Sequence, residues 1–199
     1  ADPTRVDLAE VILEAKEQVV EEVQAAEVNR LLRLIERVLP DADLDSARRG
    51  LGALLVSMDR YRAYLVPGHR PSRSQLVVLA QAEARARERL DALDHPALAQ
   101  VAQLARGGRP AGAAAGPDAH EAMDEFVIRF QQTCGPVMAK GIEDTAFYRW
   151  LRQSGANEVG GDPGTLSVEV DEFHEYAENR LATWPLTMIF RTMGVPSET

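Results

Sequence analysis

Apolar residues recur at helical spacing from Val6 to Leu39: Leu8, Val11, Ile12, Ala15, Val19, Val23, Ala26, Leu31, Leu34, Ile35 and Val38. This predicts one long helix or two abutting ones, stopped at Pro40. The opposite face carries Glu10, Glu14, Glu17, Glu21 and Glu22, with Lys16 and then Arg30, Arg33 and Arg37. Acid early and base late suits the helix dipole, so this face reads as solvated. A second helix runs from about Ser46 to Arg60, with Leu51, Leu54, Leu55 and Met58 inward and Asp45 or Asp43 as its cap. The alternation from Tyr61 to Val66, ahead of Pro67-Gly68, predicts a short extended segment and a turn. Ser72 to Gln75 has capping-box form and opens a third helix to about Leu93, anchored by Leu76, Leu79, Leu90 and Leu93. Pro96 suits the first turn of a shorter helix that ends near Ala105.

Residues 107–117, GGRPAGAAAGP, have no apolar period and read as a flexible surface loop between a helical part, 1–106, and a second, 118–188, with a tail over 189–199. Asp118 with Glu121 gives a cap signal for a helix whose inward stripe is Met123, Phe126, Val127 and Phe130. A last helix spans Asp171 to Thr183, with Phe173, Tyr176, Ala177 and Leu181 inward. No βαβ alternation is visible, and the fold class is mostly α: a multi-helix domain with short irregular loops.

Composition narrows the function. Of 199 residues, 45% are hydrophobic and only 6% aromatic, which gives an aliphatic core. A net charge of −9 disfavours a nucleic-acid or anionic-membrane partner. The single cysteine, Cys134, fits a buried hydrophobe in a reducing cytosol. No apolar run approaches the roughly 20 residues that span a bilayer, so a soluble cytoplasmic protein is expected. The histidines His69, His95, His120 and His174 are scattered singly, so neither a metal nor a cofactor is expected. Phosphate-loop, dinucleotide and serine-hydrolase motifs are missing.

Chemistry concentrates between Phe130 and Pro163, where Lys140, Glu143, Asp144, Tyr148, Arg149, Asn157, Glu158 and Asp162 fall among glycines. Lys140 falls at a chain bend where Gly141 allows a close backbone approach or a positive φ, and Asp144 or Thr145 can cap the helix that Ala146, Phe147, Trp150 and Leu151 then build. Glu143 and Asp144 also fit plain first-turn acids. Neighbouring acids on a helix point about 100° apart, so they make no facing nucleophile and acid pair. The residues suggest a polar, ligand-facing corner without a complete catalytic set. The Asn157 to Pro163 stretch reads equally as a ligand-contacting loop or as a helix-to-helix turn.

Met138-Ala-Lys-Gly-Ile-Glu-Asp-Thr-Ala-Phe-Tyr-Arg149 and Asn157-Glu-Val-Gly-Gly-Asp-Pro163 closely resemble the maltooligosyltrehalose synthase family. The likeness extends to Glu14-Ala15-Lys16, Ala25 to Arg30, Tyr61 to Tyr64, Phe130 to Thr133 and Trp184 to Met188. It implies an isomerase of trehalose biosynthesis in the α-amylase (glycoside hydrolase) superfamily of (β/α)8 barrels. Such an enzyme converts the reducing-end α-1,4 bond of a maltooligosaccharide to an α,α-1,1 bond. This chain would then be a helical insertion that encloses the reducing-end glucose, with the catalytic barrel and the maltooligosaccharide as its partners. Lys140, Glu143 and Asp144 would line or support the sugar subsites, positioned by Tyr148, Arg149 and the Asn157 to Asp162 loop. No catalytic residue is expected in this chain, which would be inactive alone. Beyond Met188, where the family continues into a Ser-Thr-His-Asp-Thr-Lys-Arg strand with a third catalytic aspartate, the chain reads Ile189-Phe-Arg-Thr-Met-Gly-Val-Pro196. The competing expectation is a stand-alone α-helical carbohydrate-binding or protein-interaction module.

Overall fold

A computed structural model describes residues 7–150, 157, 158, 161 and 167–184. The described residues are helical with no strand. The chain divides into two compact units, residues 1–161 and 162–199.

In the first unit, α1 (Leu8–Gln18) runs through a π turn (Val19–Val23) into α2 (Ala25–Val38). The extra residue per turn of a π segment rotates everything after it. This is why Val23 and Ala26, expected inward on an unbroken 3.6-residue period, are exposed, while Val19, Val20, Val28 and Leu31 are buried. Lys16, expected on the solvated face, is buried instead.

Asp43 caps α3 (Leu44–Val56) by accepting from the amides of Asp45 and Ser46. Ser72 and Gln75 complete the expected capping box of α4 (Arg73–Arg89). The inward face of α4 is Leu79, Ala82 and Ala86, and Leu93, expected as an anchor, is 90% exposed. The helix ends at Arg89, and a 3-10 turn (Ala92–Asp94) aims Leu93 outward. Then α5 (His95–Ala105) carries Pro96 in its first turn. At Gly50 an added Cβ would sit 3.0 Å from Leu98 Cα, so the α3–α5 crossing needs glycine there. Arg49 grips the buried Asp94 carboxylate with two bonds of 2.7 and 2.8 Å, which holds its pKa below the usual range.

The loop before α6 is tied down by Ala114 N–H donating to Val38 O at 2.8 Å and by Arg109 donating to the carbonyls of Ala113 and Ala114. Asp118, read as part of a cap, makes no cap bond. It pairs with Arg37 of α2 at 2.5 Å, because α6 (Pro117–Met138) already starts one residue earlier. The expected stripe of Met123, Phe126, Val127 and Phe130 is buried against α2, with Phe126 and Phe130 stacked at 6.0 Å.

The Tyr61–Val66 stretch alternates as expected, Ala63 and Leu65 inward and Tyr61 and Tyr64 outward, but it pairs with no strand. Its hydrogen bonds go to side chains. Gln131 of α6, itself buried, accepts from Leu65 N–H at 2.7 Å and donates to Leu65 C=O at 2.9 Å, as a neighbouring strand would. Gln75 donates to the carbonyl of Tyr64 at 2.6 Å, which holds that residue at φ 59.

In the second unit, α8 (Val170–Thr183) buries none of its residues. Phe173, Tyr176 and Leu181, expected inward, are exposed. Helical periodicity fixes which residues share a face, not whether that face is covered.

The clamp on Leu65 yields the first expectation. Gln131→Met keeps the volume but strands a buried N–H and C=O, so it should lower the unfolding free energy by about 2–4 kcal/mol. Denaturant titration checks this, and a loss below about 1 kcal/mol would show that the clamp is not needed.

Candidate functional site

From Pro117 the helical run does not stop at Gly135-Pro136. It passes Pro136, widens into a π turn (Ala139–Ala146) and tightens into α7 (Phe147–Arg149). The expected bend at Gly141 and the cap at Asp144 or Thr145 are therefore absent, because no new helix begins there. Gly141 instead makes the close backbone approach also expected of it. A Cβ at this position would lie 2.6 Å from Lys16 Cγ and 3.1 Å from Lys16 Cα, so the turn seats directly on α1.

The eight candidate residues fall into separate groups. Lys140 and Asp144, both exposed, face each other at 3.4 Å along the turn. Tyr148, one turn on, is 76% exposed. Glu143 accepts a hydrogen bond from the hydroxyl of Tyr61, and that bond, with burial adding, raises the Tyr61 pKa, so its proton stays in place as a donor. Arg149 reaches back to Gln18 on α1. Asn157 donates to the carbonyls of Phe147 and Trp150, each at 2.7 Å, and so closes the C-terminal end of α7. Glu158 is exposed, and its backbone carbonyl accepts from Gly161 N–H at 2.8 Å. Asp162, together with Leu151 of the expected helix, lies outside the described residues.

Beside the turn, an open cleft of about 560 Å³ is lined by Ile12, Lys16, Met58, Asp59, Arg85 and Ile142, among others, and by none of the eight candidates. Lys16 closes its floor. Its ammonium donates to the carbonyls of Met58 at 2.6 Å and Val56 at 3.3 Å. Burial takes its pKa down to about 8, with Asp59 partly offsetting this and Arg85 adding to it. Cys134 is fully buried, and its thiol is pushed up to about 12 by desolvation. Among the described residues no cluster of three or more His, Cys, Asp or Glu side chains could hold a metal ion. No described helix is long and apolar enough to cross a membrane.

Lys16, Tyr61 and Gln131 are missing from the candidates read from sequence. A signal for Lys16 was present: it stands four residues after Ile12 and four before Val20, on the buried side of α1. Tyr61 and Gln131 contact residues about 80 and 66 positions away, which local spacing cannot reveal.

The described residues thus define an all-α region presenting a polar ledge on a π turn. No family model matches the chain. Proteins provisionally named maltooligosyl trehalose synthase in two Mycobacterium tuberculosis strains, CDC 1551 / Oshkosh and ATCC 25618 / H37Rv, are 35% identical to it over 164 residues. The match takes in 82% of this chain and 18% of each relative. A mutant maltooligosyltrehalose synthase from Arthrobacter ramosus aligns in structure over 90% of this chain and 20% of its own, at 30% identity and a TM-score of 0.63. The chain is related to a region of maltooligosyltrehalose synthase, and it spans about a fifth of the length of the relatives it matches.

Lys16 carries a pH expectation. The native state binds its proton more weakly than the unfolded chain, whose lysine titrates at its ordinary value. Below about pH 8 both states are protonated and the cost of burying the charge is present in full. As pH rises from about 8 to 10.5 the native state sheds the proton first, and stability at this site increases. The unfolding free energy of the wild type, measured against Lys16→Met, should rise by roughly 3 kcal/mol across that window. A difference that stays flat with pH would rule out a charged, desolvated Lys16.

Proposed function

We propose that this chain forms the helical, substrate-enclosing part of a maltooligosyltrehalose synthase, whose whole polypeptide isomerises the reducing-end α-1,4 bond of maltooligosaccharides to an α,α-1,1 bond. The observation that supports this most is the likeness to the Arthrobacter ramosus enzyme over 90% of the chain, joined to sequence relatives of the same name. The carboxylates that break and form the glycosidic bond belong, on this reading, to a barrel supplied by the rest of the polypeptide, and the reaction is cytoplasmic.

The ledge has the chemistry that a sugar requires. Lys140 offers only donors and Asp144 only acceptors, and a glucose hydroxyl is both. Their mutual pair is exposed and worth at most about 1 kcal/mol, so a bound hydroxyl displaces it at little cost. Glu143, held by Tyr61, is an acceptor of fixed direction. Tyr148 presents a phenol ring and hydroxyl to whatever covers this side. Arg149, bonded to Gln18, and Asn157, bonded to the carbonyls of Phe147 and Trp150, hold the end of the turn, and the resemblance adds Glu158 and Asp162 to the proposed sugar-binding set. Covering the ledge with the barrel would exclude water, so that the released glucose, and not water, attacks the glycosyl intermediate.

The self-contained aliphatic core of the first unit favours a second reading, a helical carbohydrate-binding module that acts without a barrel. Two assays separate them. In the full-length polypeptide, Lys140→Ala and Asp144→Asn should each lower kcat/KM for maltopentaose isomerisation at least tenfold. Because both sites are exposed, stability should stay within about 0.5 kcal/mol. The 199-residue chain alone should form no trehalose end. Unchanged kcat/KM in both variants would remove the ledge from the sugar site, trehalose-end formation by the isolated chain would overturn the missing-carboxylate reading, and tight calorimetric binding of maltopentaose to that chain would favour the module.

A further inference from the structure

Lys16 is a buried cation that the proposed chemistry does not use, and its surroundings are specific. Only 5% of it is exposed. Its ammonium bonds the carbonyls of Val56 and Met58, at the C-terminal end of α3 where helix carbonyls lack partners and carry partial negative charge. Its stem is the surface on which Gly141 rests, leaving no room for even a methyl group. The turn seated there is π-helical, a geometry that is rare and needs outside support. A second link leaves the same stretch of chain, because Tyr61, three residues past Met58, bonds Glu143 of the turn.

We propose that Lys16 is the positioning residue of the Ala139–Ala146 turn. It ties the turn to the end of α3 and so fixes where Lys140, Glu143 and Asp144 point; this last step rests on the sugar-site reading above. Methionine would fill nearly the same volume without desolvating a charge, but it would leave the carbonyls of Val56 and Met58 without the ammonium as donor and remove the tie between α1 and the end of α3. Loss of the ammonium is therefore felt at the turn more than in the core. Gly141→Ala disturbs the same contact from the other side and leaves the charge intact.

The test compares the full-length polypeptide with its Lys16→Met and Gly141→Ala variants by hydrogen exchange and by maltopentaose turnover. Both variants should speed exchange of the amides of 139–146 at least tenfold, leave α5 and the first half of α6 unchanged, and lower kcat at least tenfold with KM altered less than threefold. Exchange that is unaltered at 139–146, or raised equally throughout, overturns the positioning role. Should Lys16→Met fail to fold, Gly141→Ala decides by the same criterion. Local loosening with unchanged kcat in an active wild type overturns the functional half. Local loosening in a polypeptide whose wild type does not convert maltopentaose supports the positioning role and counts against the sugar-site reading instead.

Discussion

The contact between α1 and the turn at Ala139–Ala146 leaves no space for a side chain at position 141, and the Lys16 stem fills what space there is. Much of the first unit is arranged around that constraint. The end of α3 is held by the Lys16 ammonium, and the segment after it is held at Tyr61 by the turn and at Leu65 by Gln131. A side chain on α1, one on α6 and one on the turn each reach a stretch that has no regular hydrogen bonding of its own. Buried irregular backbone needs its N–H and C=O groups paired by some partner, and here side chains distant in sequence supply several of those bonds.

Two π turns shape the helices around this contact. The first re-phases α2 relative to α1, so that Val28, Leu31 and Ile35 face α6 while Val11 and Ala15 face the second turn with Ala146 and Trp150. One helical run thereby serves two separate apolar clusters. A straight helix of the same length could not present both faces with the same residues. The run passes Pro136 within α6, where the missing N–H removes one bond from the ladder, and the second turn then continues it. It also sets exposed polar residues beside buried Ala146 and Phe147.

Helix starts were legible because capping chemistry is local: Ser72 with Gln75, Asp43, and Pro96 each act within one turn, whereas α3 and α4 stop at Val56 and Arg89, short of the expected Arg60 and Leu93. The core stripe of α6 was legible for the same reason. What escaped were effects that depend on partners distant in sequence. Asp118 has a capping residue's identity, yet it serves Arg37. Lys16 has a surface residue's identity, yet it is buried because two carbonyls 40 and 42 residues away accept from it. Around the candidate site, residue types and spacing singled out a polar stretch. They did not show that Glu143 belongs with Tyr61, or that Arg149 and Asn157 bond to neighbouring structure. At Gly141 the sequence leaves a bend, a close approach and a positive φ open, because glycine serves all three, and only the packing on Lys16 selects the close approach.

The burial of Cys134 has a use of its own. It is the chain's single thiol, fully enclosed between α6 and its neighbours and poor in thiolate because burial raises its pKa to about 12. A thiol reagent cannot reach it in the closed molecule and reacts quickly only with the thiolate form. Labelling therefore proceeds only when α6 separates from its surroundings, and its rate counts those openings. The protein carries a built-in clock for the breathing of its core.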